Sequence, residues 1–443
     1  MKFQVGFGRV CITPTDPVPL SGYGNSSLRV SQTVDSDLYC TCLAFTGTNG
    51  QTVLLMTCDL GNTWRYWADP GRQAASEATG VPFENIVISS THTHEGPDHE
   101  NTAFESILKH RQDMVRWIAE AATLAMADRQ EATLLSGTTR IETVNYVRHY
   151  ILANGTYAGD NFGDFSSAPI VNSTTEADRT MQLLRFVRPG KDIILANWQT
   201  HPHRSGGATR LEINADIVGG MRTAMERDTD CHFAYFTGAA GNINTRSRTP
   251  SLNLVGDHVV CGEFMARHAI AALDTLTPTA TGAVQCLHQD YICKTNHSLD
   301  HLAQIGMELR NEWERTNDMA AAIEAGKPYG IHSPYHALAI YRHSQLPETR
   351  PVTMTAFSIG DAAFVSAPYE MFDTNDMQIK QGSPFSRTFV CTLANDYVGY
   401  VPSAYGFAHG CYEADCCSLA PGSGETLAME YIRMLCTIRN RDQ

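Results

Sequence analysis

Two rhythms of apolar and polar residues run along this chain. Short, nearly continuous apolar runs bounded by turn residues read as strands, and a repeat near 3.6 residues reads as helix. Strands dominate the first hundred residues: Leu38–Thr46 and Thr52–Thr57 flank Thr48-Asn49-Gly50, where Asn-Gly is a strong hairpin signal. Ile86-Val87-Ile88 is a further strand. Phe104–Ala127 then places Ile107, Met114, Ile118, Ala121 and Leu124 near helical spacing. Gln182–Val187 and Asp192–Thr200 form a hairpin around Arg188-Pro189-Gly190, and Thr353–Ile359 with Ala362–Ser366 form another around Gly360-Asp361. Thr388–Leu393 is a late strand. Ala215–Arg227, Leu254–Leu273, Leu302–Ala325 and Glu425–Thr437 read as helices. The stretch Tyr150–Asp178, rich in Gly, Asn, Ser and Asp, reads as a lid or a loosely ordered excursion.

Hairpins and helices alternate in blocks, so the sheets should be mixed rather than purely parallel. The expectation is an α/β fold of mixed α+β character. Two mixed β-sheets pack together, flanked by helices in an α/β/β/α arrangement, in one large domain over residues 1–443. No fixed-period repeat or long linker divides the chain.

Several strands end in polar side chains. Thr91-His92-Thr93-His94 follows Ile86-Val87-Ile88, and in extended chain residues two apart share a face, so two imidazoles leave the strand side by side. His201-Pro202-His203 follows the apolar Ile193-Ile194-Leu195 in the same way. Glu370 lies just beyond the strand ending at Ser366. Tyr400 follows the strand Thr388–Leu393, and a Gly-rich turn leads on to Cys411-Tyr412-Glu413. Open α/β sheets place their sites at such carboxyl ends. Taken singly, each of these residues is better read as a turn, an ion pair or a half-buried aromatic; together they converge.

The order of these segments resembles the catalytic domain of the neutral/alkaline ceramidases, zinc-dependent amidases. The similarity is carried by Val5-Gly6-Phe7-Gly8-Arg9-Val10, Ser21-Gly22-Tyr23-Gly24, Cys58-Asp59-Leu60-Gly61 and, most specifically, Thr91-His92-Thr93-His94 with Gly96-Pro97. The resemblance implies Zn2+ held by His92, His201, Glu370 and Tyr400. It also implies catalytic roles for His94, Arg148 and Tyr412. Two departures stand out. The family's loop serine is replaced by Asn244, with Asn242 at the preceding aspartate, and an amide is no nucleophile. Asn244 is therefore expected beside the substrate as a hydrogen-bonding group. The immunoglobulin-like domain of true ceramidases is not expected here, which weakens the case for a membrane lipid.

A zinc ion so held brings the pKa of bound water from about 16 to about 7 and polarises a carbonyl. His94 is then placed to move a proton, and Arg148 or Tyr412 to steady negative charge. The first reading is hydrolysis of the amide of a polar N-acylated small molecule. The second is a carbohydrate-directed hydrolase or lyase, with Asn242 and Asn244 on sugar hydroxyls. The third is a non-catalytic metal-binding homologue.

Composition narrows the partners. A net charge of −14 with no basic run argues against nucleic acid and against an anionic membrane surface. No apolar run approaches the roughly 20 residues that span a bilayer. Residues Met1–Val5 pass directly into a strand pattern without an apolar leader, and thirteen scattered cysteines read as reduced thiols, so the expected location is cytoplasmic. Homo-oligomerisation is left open. No Gly-x-Ser-x-Gly elbow is present, which removes the commonest serine-hydrolase route.

Overall fold

The computed structural model describes residues 2–441 apart from Ala208. The three largest sheets among the described residues follow one path. In the first, β1 (Gln4–Cys11), β2 (Tyr39–Thr46), β3 (Thr52–Cys58) and β4 (Ile86–Ser90) lie in the order β4-β3-β2-β1. The pairs β1/β2 and β2/β3 are antiparallel, while β3/β4 is parallel. The second sheet repeats this with β5 (Thr133–Arg140), β6 (Thr180–Val187), β7 (Ile193–Trp198) and β8 (His232–Thr237). The third repeats it again with β9 (Val284–Lys294), β10 (Thr349–Ile359), β11 (Ala362–Ala367) and β12 (Arg387–Thr392).

A helix makes each parallel crossover and a second helix follows it. These are α1 (Arg65–Thr79) and α2 (Glu105–Ala127), then α3 (Asp216–Thr229) and α4 (His258–Ala272), then α5 (Asp373–Gly382) and α6 (Ser423–Arg441). Each unit also carries its long insertion at one place, after its first strand: residues 12–38, 141–179 and 295–348. The fold is thus mixed α/β, built as a structural triplication that no sequence period announces.

Each sheet turns one face to its own helices and the other to a shared centre. Strands covered on both faces need near-continuous apolar runs, which is why Thr52–Cys58 and Ile193–Trp198 are buried throughout rather than alternating. Phe45 of the first sheet meets Phe186 of the second at 5.4 Å and Phe364 of the third at 6.1 Å between ring centroids. Truncating such a ring to alanine costs about 3–5 kcal/mol.

Polar side chains pin the sheets together near the strand ends. Asn197 donates to the carbonyls of Phe236 and Val390 at 2.9 and 2.8 Å. Thr237 donates to the Thr91 carbonyl at 2.7 Å, and Thr392 to the Gly238 carbonyl at 2.9 Å.

Some local expectations shift. The single helix expected over Leu302–Ala325 is two, Ala303–Thr316 and Met319–Gly326, because Asn317 turns left-handed (φ 54°) and Asp318 caps the next helix. The Tyr150–Asp178 excursion contains strand pairs, with His149–Leu152 between Tyr157–Gly159 and Ile170–Ser173. Helix α1, which the apolar pattern does not announce, accommodates Pro70 inside its length.

Candidate metal centre and active site

The loops at the carboxyl ends of β4, β7, β11 and β12, one or more from every unit, meet at a single point. His92 leaves β4 in the left-handed region (φ 71°), a conformation that costs a non-glycine residue on the order of 1–3 kcal/mol and is typical of functional sites. Its Nδ1 donates to the Gly61 carbonyl at 2.6 Å, which leaves Nε2 as a bare lone pair. His201, beyond β7, is arranged alike: Nδ1 faces the Ala240 carbonyl at 3.0 Å, and Nε2 lies 3.0 Å from His94 Nε2. One ligand atom each from His92, His94 and His201 lies within 4.8 Å of the others. Glu370, beyond β11 and 4% exposed, takes the Tyr397 hydroxyl on Oε1 at 2.8 Å. Its Oε2 is 3.2 Å from His92 Nε2.

That last pair tests whether a cation belongs here. These two atoms, 3.2 Å apart and buried, have no other hydrogen-bond partner, so the pair calls for a positive charge between them, either a proton or a metal ion. His94 Nδ1 is also buried without a partner. Three imidazoles and a carboxylate form the donor set of a catalytic zinc or similar transition metal. Burial first, and then the neighbouring imidazoles, push His94 and His201 well below the ordinary histidine range, so both are neutral and ligand-competent at neutral pH. Gly22 explains part of the Ser21-Gly22-Tyr23-Gly24 motif: a Cβ there would collide with the His94 ring, against which Tyr23 packs edge-on at 5.0 Å. Arg29, paired with Glu95 at 2.7 Å, also holds the His94 carbonyl at 3.4 Å.

A second wall comes from the insertion of the middle unit. Arg148 donates from Nη2 to the Tyr400 hydroxyl at 3.4 Å and to the Gly241 carbonyl at 2.8 Å, and from Nε to Glu413 at 2.7 Å. Glu413 is fully buried and its other oxygen meets His149 Nε2 at 2.8 Å. Burial alone would raise this carboxyl, but His149 and Arg148 outweigh it and hold Glu413 down at about 2. Burial and then the Glu370 charge push the Tyr400 hydroxyl well up, so it is a neutral phenol in this arrangement. Tyr412 stacks edge-on against Tyr400 and Tyr335, at 5.8 and 6.1 Å. A cavity of about 380 Å³ opens beside these rings, lined by Trp64, Tyr335, Leu338 and Val398 among others.

Of the residues named from sequence, His92, His94, His201 and Glu370 come together directly, and Tyr400, Arg148 and Tyr412 border them. Asn244 does not join them by any hydrogen bond: its amide donates to Asp160 at 2.8 Å and accepts from the Arg246 N–H at 3.0 Å. Asn242 is likewise tied to Asp373, at 2.7 and 3.0 Å. Sequence reasoning assigned nothing to Tyr397, Glu413 or His149. Glu413 and Tyr397 sat inside segments already singled out, and a buried acid beside Tyr412 was the available signal. His149 adjoins Arg148 and offered none.

No protein-family model and no curated relative matches the sequence. Among solved structures the chain is similar to the neutral ceramidase from Pseudomonas aeruginosa, with a TM-score of 0.73 and 16% identity over 100% of this chain and 75% of that one. A structure titled as ceramidase complexed with C2 matches equally, at TM-score 0.73 and 16% identity, over 100% of this chain and 76% of that one. The chain has the neutral-ceramidase fold.

Proposed function

We propose that the protein is a metal-dependent hydrolase that cleaves the amide bond of an N-acylated small molecule, with Zn2+ as the metal. The observation that carries this reading is the unbonded meeting of His92 Nε2 and Glu370 Oε2 within a pocket that also receives His94 and His201. His92, His201, Glu370 and Tyr400 are the residues we assign to the metal, with His94 close enough to join or replace one of them. When bound, such a metal supplies an activated water and polarises the carbonyl under attack.

The chain's own groups do the rest. Arg148, desolvated and fixed by Glu413, presents positive charge beside Tyr400 where an oxyanion would develop. His94, neutral at its Nδ1 edge, is placed to pass a proton to the departing amine. The aromatic and aliphatic cavity beside Tyr400 and Tyr412 suits an acyl chain or another apolar substituent. The ceramidase likeness supports the amide as the bond cleaved. The carbohydrate-directed reading is the less favoured, because Asn242 and Asn244 already hydrogen-bond Asp373 and Asp160.

The test pairs metal analysis with a panel of N-acyl amines of graded chain length. Purified protein should carry zinc, lose amide hydrolysis to a chelator and regain it with added zinc. Hydrolysis unaffected by complete metal removal would overturn the proposal.

A further inference from the structure

A second cluster of metal-binding side chains lies behind Glu413, where nothing above assigns a role. We propose that His149, His409 and Cys411 hold a second transition-metal ion, Zn2+ by preference.

One ligand atom from each of the three lies within 4.8 Å of the others. His149 and Cys411 are each 1% exposed, and both nitrogens of the His409 ring are shielded from solvent. The His149 ring is set for ligation. Its Nε2 meets the Glu413 carboxylate at 2.8 Å, which leaves Nδ1 as the ring nitrogen available to a metal. A carboxylate behind an imidazole is the usual outer support of a histidine that binds metal. Phe162 and Phe372 pack edge-on against the same ring, at 5.2 and 5.6 Å, and keep its plane.

His409 supplies the strongest sign. Both of its ring nitrogens are buried without a well-formed hydrogen bond. Stacking on Tyr157 at 4.8 Å accounts for the plane of the ring but satisfies neither nitrogen. The Cys411 sulfur lies 3.6 Å from the Gly406 carbonyl and also faces the Glu413 carboxylate.

A thiolate and two imidazoles select zinc, copper or cobalt over calcium and magnesium, which take oxygen ligands. Binding would release one proton, from the Cys411 thiol to solvent. Three protein ligands leave a fourth position, and a cavity of about 650 Å³ lined by His409, Cys411, Tyr157 and Phe162 adjoins the cluster. Glu413 links the two centres, since its other oxygen holds the Arg148 that reaches Tyr400. Occupancy of the second site would therefore stiffen one wall of the first.

The molecule contains a useful contrast. His332, His336 and Asp415 also cluster, but there the groups satisfy one another: His332 Nδ1 meets Asp415 at 2.7 Å, and the His332 N–H reaches His336 Nδ1 at 3.3 Å. That cluster is complete as an ion pair.

The experiment uses the full-length protein stripped of metal and titrated with Co2+. The first centre contains no sulfur, so a thiolate-to-cobalt charge-transfer band can arise only where a cysteine ligates. Wild-type protein should bind two equivalents and show the band. Cys411→Ser should abolish the band and keep the first equivalent, His409→Ala should lose one equivalent, and His92→Ala should keep the band. A wild-type protein without the band, or a band that survives Cys411→Ser, would overturn the proposal. The wild-type spectrum decides even if a variant fails to fold.

Discussion

Two groups of buried histidines sit in the first unit and its surroundings, and only one of them is finished. His99 and His110 form a closed pair: His99 Nε2 meets His110 Nδ1 at 2.8 Å, and His110 Nε2 gives its proton to the Ile12 carbonyl at 2.7 Å. His92, His94 and His201 are buried too, and His94 and His201 share a contact at 3.0 Å, yet His92 Nε2, His94 Nδ1 and the facing Glu370 Oε2 are left without a hydrogen bond. Burial and clustering are common to both groups, so neither marks a site. Unmet hydrogen-bonding capacity does, because a folded interior leaves few such atoms without a reason.

The sharpest way to break this comparison is to remove one member of the open group. His201→Ala should lower amide hydrolysis by more than about a hundredfold and lose the one metal equivalent of this centre, while the thermal transition of the metal-free protein barely changes. If metal stays bound at full stoichiometry, the open group is not the binding site. The Arg148–Glu413–His149 network is closed and charged, so its loss should appear in stability. Glu413→Gln should cost about 3–5 kcal/mol in denaturant unfolding, because Arg148 is left buried without a counter-charge. A cost below about 1 kcal/mol would mean that water reaches the guanidinium.

The closed histidine pair makes a pH prediction. Burial, the dominant cause, lowers His110 from its ordinary 6.5 to about 4, so the unfolded chain binds the proton more readily than the native one. Its contribution is fully present above pH 6.5, declines as pH falls toward about 4, and is level below that. The total is about 3 kcal/mol. Comparing wild type with His110→Gln, which keeps both hydrogen-bonding roles without titrating, isolates this slope; parallel stability curves would refute it. Smallest of all, Asn244→Ala should leave metal content unchanged and move the hydrolysis rate by no more than a few fold, since its amide already serves Asp160 and Arg246. A large loss would restore it to the substrate.

Much of this was legible from residue order. Strands such as Thr52–Cys58 and Ile193–Trp198 are apolar enough to be unmistakable, and Asn49-Gly50 and Pro189-Gly190 mark their hairpins. The helix break at Asn317 was missed because apolar periodicity resumes on the far side, while the decision rests on one left-handed residue and the Asp318 cap. The triplication was hidden since strand pairing leaves no sequence period when each unit carries an insertion of different length. At the site, histidines at strand ends were visible because strand geometry is local. Glu413 and His149 were not, as their pairing joins residues 264 positions apart and depends on the three sheets meeting.

The residues we assign to the metal lie at 92, 201, 370 and 400, spread across all three units. A chain emerging from the ribosome offers the first pair of imidazoles early but no carboxylate to neutralise a captured ion until the last unit has been made. On that assignment a metal could be loaded only at the end of synthesis, and a truncated product would lack the means to retain it.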